Sequence, residues 1–177
     1  MTGINPELSL RVKNTQTLYV GAHELHLIRE GCPTDPVDMT VVEDDTWLLM
    51  SCDNHIPKYS AHPIRVMTDL IDQEPVSTGT ILRGNRQWKM IVYDLDRDPV
   101  SRTEWVEDAF QSLLSEARHH GLRSLSIPLP GCRHGPTSAM RSFKIILDSL
   151  KNWQQDQAMQ INLICSPDHY EALCNNL

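Results

Sequence analysis

Three short stretches carry residue types that do chemistry where strands end. The richest is Pro130-Gly131-Cys132-Arg133-His134-Gly135-Pro136, between an apolar run ending at Leu129 and an amphipathic segment beyond it. A glycine-bounded loop feeding a helix N-terminus is a ready anion site, because free amides and the helix dipole point outward together. Gly131 and Gly135 let the backbone approach a phosphate closely, and Arg133 and His134 add positive charge. The same pattern also serves a plain strand-to-helix turn. The second stretch is Ser51-Cys52-Asp53-Asn54-His55, just past the apolar run Thr46–Ser51. Loops there gather functional polar groups in α/β proteins, although Asp-Asn is equally ordinary turn chemistry. The third, Ser77-Thr78-Gly79-Thr80, offers hydroxyls around a glycine for a ribose or phosphate, or simply a loop entering Ile81-Leu82.

Other chemistries find less support. His23-x-x-His26 and Cys52-x-x-His55 have ligand-like spacing, but four ligands at matched spacings are absent. On a strand, residues three apart face opposite sides, so no metal is expected. There is no Gly-x-Ser-x-Gly elbow for a serine hydrolase, and neither Gly-x-Gly-x-x-Gly nor a Walker A loop. Cys132 beside His134 suggests a thiol nucleophile, with a helix N-terminus lowering the thiol pKa, but no third, orienting group is identifiable. His119-His120 reads as a partner for a helix C-terminus.

The elements that must position these groups are clearest after residue 80. Lys89–Asp94 reads as a buried strand. A helix follows from Ser101 or Thr103, where Ser101-x-x-Glu104 has capping-box spacing, with Val106, Phe110, Leu113, Leu114 and Ala117 as its apolar stripe. Gly121 is placed to end it. Leu122–Leu129 is the next strand. Pro136 suits the first position of another helix, whose stripe is Met140, Phe143, Ile146, Leu147 and Leu150. Gln160–Cys165 is a third strand. Ser166-Pro167 opens a last helix carrying Tyr170, Leu173 and Leu177. Before residue 80, Thr17–Val20, Glu24–Ile28, Met39–Val42 and Thr46–Ser51 read as strands and Pro63–Leu70 as a short helix. Alternating strands and helices predict an α/β fold with a mixed, largely parallel central sheet.

The 177 residues carry 16 Lys+Arg and 23 Asp+Glu, a formal charge of −7. This length fits one domain of roughly 100–200 residues: a core over 40–177, with 1–40 either added strands or an arm. The acidic balance argues against duplex DNA, whose binding needs a positive surface. Apolar runs such as Trp47–Met50 are far short of the about 20 residues of a membrane span. Five cysteines at irregular spacing and no visible signal peptide suggest reduced thiols in a cytoplasmic protein.

Ser124-Leu-Ser-Ile-Pro-Leu-Pro-Gly-Cys-Arg-His-Gly135 resembles the loop of macro domains, the α/β/α modules that bind ADP-ribose. Some members that remove ADP-ribose carry Pro-x-x-Gly-Cys-Gly-x-Gly there. Pro128, Gly131, Cys132 and Gly135 match, while Arg133 replaces the middle glycine. The resemblance extends over about residues 40–177. It sets Thr46–Asn54 against the family's Asn-Ala-Ala-Asn-like turn, with Asn54 matching the second Asn and Ser51 in place of the first. The family's following glycine run and adenine-holding Gly-Asp-Ile turn have no counterpart.

The resemblance implies a three-layer α/β/α fold and a cleft at strand C-termini for ADP-ribose, a related nucleotide diphosphate, or an ADP-ribosylated macromolecule. Ser51, Cys52, Thr78, Gly79, Gly131, Cys132, Arg133, His134 and Gly135 would line it. No cofactor is expected. As an enzyme it would hydrolyse an ADP-ribosyl or ADP-ribose phosphate bond, with Asp53 as general base and Asn54 orienting the ribose. The competing reading is a macro-like scaffold or protein-interaction module without a nucleotide. An aminopeptidase-related fragment is a third, weaker one, since the metal-binding catalytic domain of such enzymes is missing. The sequence does not set the oligomeric state.

Overall fold

A computed structural model describes residues 14–50, 74–153 and 158–177. Seven strands form one sheet: β1 (Thr15–Val20), β2 (His23–Arg29), β3 (Met39–Asp45), β4 (Ile81–Leu82), β5 (Gln87–Tyr93), β6 (Ser124–Pro128) and β7 (Gln160–Cys165). Their order is β1-β2-β7-β6-β3-β5-β4. The five inner strands are mutually parallel, and β1 and β4 pair antiparallel at the two edges. Strands of such a sheet are covered on both faces. Leu25, Leu27, Met90, Ile91, Val92, Leu125, Ile127, Ile161 and Leu163 are accordingly buried.

Three helices are described: α1 (Thr103–His119), α2 (Ala139–Asn152) and α3 (Pro167–Cys174). α1 packs on β5, β4 and α2, and α3 packs on α2, β2 and β7. The stripe Val106, Phe110, Leu113, Leu114, Ala117 is buried as its periodicity requires. Gly121, at φ +63°, closes α1. Its N–H donates to Arg118 O at 3.0 Å and the Leu122 N–H to Ala117 O at 2.9 Å, the paired bonds of a Schellman ending. His119 and His120 donate from Nδ1 to the carbonyls of Ser115 and Glu116, each at 2.9 Å. α3 starts as expected, with Pro167 at its head and Ser166 Oγ accepting from the His169 N–H.

Four local expectations are corrected. Thr46–Met50, the described part of the expected strand Thr46–Ser51, turns instead, because β3 already ends at Asp45. The capping box at Ser101 does not form, because Arg102 takes the N-cap position. Pro136 stays in the loop, and Ser138 caps α2, accepting the Arg141 N–H at 3.3 Å. Met140 and Leu177 are exposed, the α2 core face being completed by Ala139, Ser142, Ile145 and Ser149 instead. The expected helix at 63–70 lies outside the described residues.

Candidate functional site

The C-terminal ends of β3, β5 and β6 converge on one set of groups. β3 ends in three successive carboxylates, Glu43-Asp44-Asp45, each with its own task. Asp45 is buried and accepts from the backbone: Trp47 N at 2.8 Å on one oxygen, Leu49 N and Met50 N at 2.8 Å each on the other. Asp44, also buried, accepts from Asp45 N at 2.9 Å and Met50 N at 3.1 Å, and its other oxygen lies 3.2 Å from Lys89 Nζ. These bonds fold the chain sharply off the sheet, with Leu48 at φ +60°. Thr46 ties the turn down, its N–H donating to Tyr93 O at 3.0 Å and its carbonyl accepting from Val76 N at 2.8 Å.

Glu43 faces the loop after β6. Its Oε1 accepts the Gly131 N–H at 2.6 Å and the Tyr93 hydroxyl at 3.0 Å. The Tyr93 oxygen in turn accepts the His134 N–H at 3.3 Å. Burial raises the Glu43 carboxyl to about 7, against the lowering effect of the Gly131 and Tyr93 hydrogen bonds and of the Arg133 charge. Burial and the Glu43 charge push the Tyr93 phenol well above its ordinary range. The Gly131 amide thus meets a carboxyl and the His134 amide a phenol oxygen, both the protein's own.

The loop is pinned from beneath. Gly131 has φ +74°, and a Cβ there would stand 2.7 Å from Val106 Cγ2 of α1. A Cβ on Gly135 would stand 2.7 Å from Ser101 Cβ, 2.8 Å from Gly131 O and 3.2 Å from Tyr93 Cε1. The space that side chains would take is therefore filled by α1, Ser101 and Tyr93. Ser142 Oγ, buried on α2, donates to Pro130 O at 2.7 Å and fixes the loop's start. Arg133 turns outward, with Nη2 3.2 Å from Glu30 Oε1 in the loop after β2. His134 is exposed, its ring edge-on to Tyr93 with centroids 5.8 Å apart.

Cys132 does not have the lowered pKa expected beside a helix N-terminus. α2 begins only at Ala139. Burial, aided by the Glu43 charge and opposed by a hydrogen bond with Ser142, pushes the thiol to about 11. Thr78 and Gly79 precede β4. They lead into the β4 edge, where Gly79 N donates to Ile91 O at 2.8 Å and Ile91 N to Thr80 O at 3.0 Å. A Cβ on Gly79 would lie 2.8 Å from Asp108 Cβ of α1, so this glycine permits helix packing. Ser51, Cys52, Asp53 and Asn54 lie outside the described residues.

His23 and His26 diverge across β2: His23 stacks on Trp153 and accepts the Met159 N–H, while His26 bonds Thr17. Sequence reasoning missed Glu43, Tyr93 and Thr46. Glu43 and Thr46 are polar residues flanking the end of a β-branched run, which is a usable signal. Tyr93 looked like an ordinary core aromatic.

No family model and no curated protein sequence matches the chain. Solved structures do. The Oceanobacillus iheyensis macrodomain with ADP superposes with a TM-score of 0.65 at 12% identity, over 92% of this chain and 98% of that one. The macrodomain of Thermus aquaticus DarG gives 0.53 at 19% identity, covering 79% and 97%. The Trypanosoma brucei macrodomain in complex with ADP-ribose gives 0.52 at 16% identity, covering 76% and 61%. The chain therefore has the macrodomain fold, and its sheet order and parallel core answer the α/β/α expectation.

Proposed function

We propose that this protein binds ADP-ribose or a related nucleotide diphosphate over the ends of β3, β5 and β6. The observation that carries this reading is the fold, shared with structures solved with ADP and ADP-ribose; the loop amides of Gly131 and His134 mark the place, where Glu43 and Tyr93 now accept from them. Backbone donors fixed in this way are the usual means of holding a phosphate. In this reading the diphosphate lies beside Cys132, Arg133 and His134, and Arg133 leaves its exposed pairing with Glu30 at little cost. Asp53 and Asn54, a few residues beyond β3 in sequence, would serve as base and ribose-orienting group in hydrolysis.

One observation favours the scaffold reading instead. Glu43 already supplies a carboxylate to the Gly131 amide, so the loop's anion position is internally satisfied. Calorimetric titration with ADP-ribose, using wild type, Glu43→Gln and Arg133→Gly, separates the two. Micromolar binding, about −8 kcal/mol, strengthened in the Gln variant, supports the nucleotide cleft. Absence of binding in all three proteins rejects it. For hydrolysis, an Asp53→Ala variant that retains full turnover removes Asp53 from the mechanism.

A further inference from the structure

Glu43 is the carboxyl that a ligand on the loop after β6 must meet. Its Oε1 lies 2.6 Å from Gly131 N and 3.0 Å from the Tyr93 hydroxyl. A diphosphate oxygen that takes a hydrogen bond from these loop amides therefore comes to rest beside Glu43. Like charges so close, partly shielded from water, disfavour each other strongly. Swinging the carboxylate aside would break both of its hydrogen bonds. Adding a proton removes the repulsion and keeps them, since Oε1 still accepts from Gly131 and Tyr93. The acid form also gains an O–H donor, which a carboxylate lacks.

The groups that face this carboxyl come from three places. β5 supplies Tyr93, whose phenol is held well above its ordinary range by burial and stays neutral. The loop supplies Cys132, pushed to about 11 and also neutral, and Arg133, positive throughout and paired with Glu30 at 3.2 Å. It also supplies His134, edge-on to Tyr93 and of the residue type that gains charge near neutrality. On β3 itself, Asp44 faces Lys89 and Asp45 faces the turn amides. Burial raises Glu43 to about 7, so its charge changes at ordinary working pH. We propose, resting on the nucleotide reading of this same cleft, that the ligand enters together with a proton taken up by Glu43: the neutral acid admits the diphosphate beside the Gly131 amide, and the carboxylate excludes it. The proton comes from solvent, and no covalent bond of the ligand changes.

ADP-ribose suits the test, because its diphosphate diester keeps a constant charge between pH 6 and pH 8. Calorimetry of the full chain at pH 7.5 in Tris and in Pipes, whose ionisation heats differ, counts the protons. For a carboxyl titrating near 7, uptake of about three-quarters of a proton per ligand is expected, and affinity should fall about tenfold from pH 6 to pH 8. Glu43→Gln, which keeps an uncharged donor and acceptor, should bind at pH 8 as tightly as wild type does at pH 6, with the proton uptake lost. His134→Gln should keep both the uptake and the pH dependence. Binding without uptake, release of protons on binding, or a pH dependence that disappears with His134 and persists without Glu43 overturns the proposal while the nucleotide cleft stands. Absence of binding in wild type and Glu43→Gln at every pH rejects the nucleotide cleft, and the proposal with it. The wild-type proton count stands even if a variant fails to fold.

Discussion

Replacing Glu43 with Gln should make the protein more stable at pH 8 and no more stable below about pH 4. The carboxyl moves from an ordinary 4.5 to about 7 on folding, with burial as the main cause. Such a move corresponds to about 3 kcal/mol against the charged form. The side chain is half-buried rather than enclosed, so solvent screening reduces the expectation to about 1–2 kcal/mol. Below the unfolded value both states are protonated and the group costs nothing. As the pH rises through 4.5 the unfolded chain ionises while the folded protein holds its proton, and stability falls until the folded group also ionises near 7.

Gln carries no charge, yet its carbonyl can still accept from Gly131 N and the Tyr93 hydroxyl. The variant therefore keeps both hydrogen bonds and loses only the pH-dependent cost. Urea denaturation at pH 4, 5, 6, 7 and 8 measures it directly. The expected result is a gap between the proteins that opens over that range to about 1–2 kcal/mol, or about 2–4 °C in Tm per kcal/mol at this chain length. A Gln variant that is less stable at pH 8, or a gap independent of pH, would refute the account of Glu43 as a carboxylate held at a cost.

Three further outcomes follow from the same geometry. Asp45→Ala removes the acceptor of three backbone amides at the end of β3 and should cost about 3 kcal/mol or more in denaturant midpoint experiments; a loss below 1 kcal/mol would show that water replaces it freely. Gly131→Ala puts a Cβ at positive φ and 2.7 Å from Val106, with an expected cost of about 2–4 kcal/mol; a crystal structure showing an unmoved loop at wild-type stability would contradict the packing described. Cys132 should resist iodoacetamide at pH 8 and react faster only as the pH approaches its value of about 11; rapid labelling at pH 7 in peptide mapping would contradict burial as the cause.

The sequence by itself determined the regular part of the fold. Strand and helix periods between residues 87 and 174 are written in local alternation and in Gly, Ser and Pro punctuation, so β5, β6, β7 and the three helices were legible in kind and order, with some ends displaced by up to about three residues. The glycine-containing loop was legible for the same reason, since its spacing is local. Two helix-start details were decided by competition that no short window contains. Ser101 has capping-box spacing yet is drawn beneath Gly135 instead, and Pro136 precedes a helix that Ser138 begins.

Only the tertiary structure decided what the loop faces. Glu43 and Gly131 are 88 residues apart, and they meet because β3 lies beside β6 in the sheet. That pairing turns an ordinary-looking glutamate into a raised carboxyl against the loop after β6. It also gives Gly131 and Gly135 a packing reason of their own, clearance for α1, Ser101 and Tyr93. Local sequence specifies which groups are able to donate and accept; the order of the strands determines which of them face each other, and so how much of their capacity is left for a ligand.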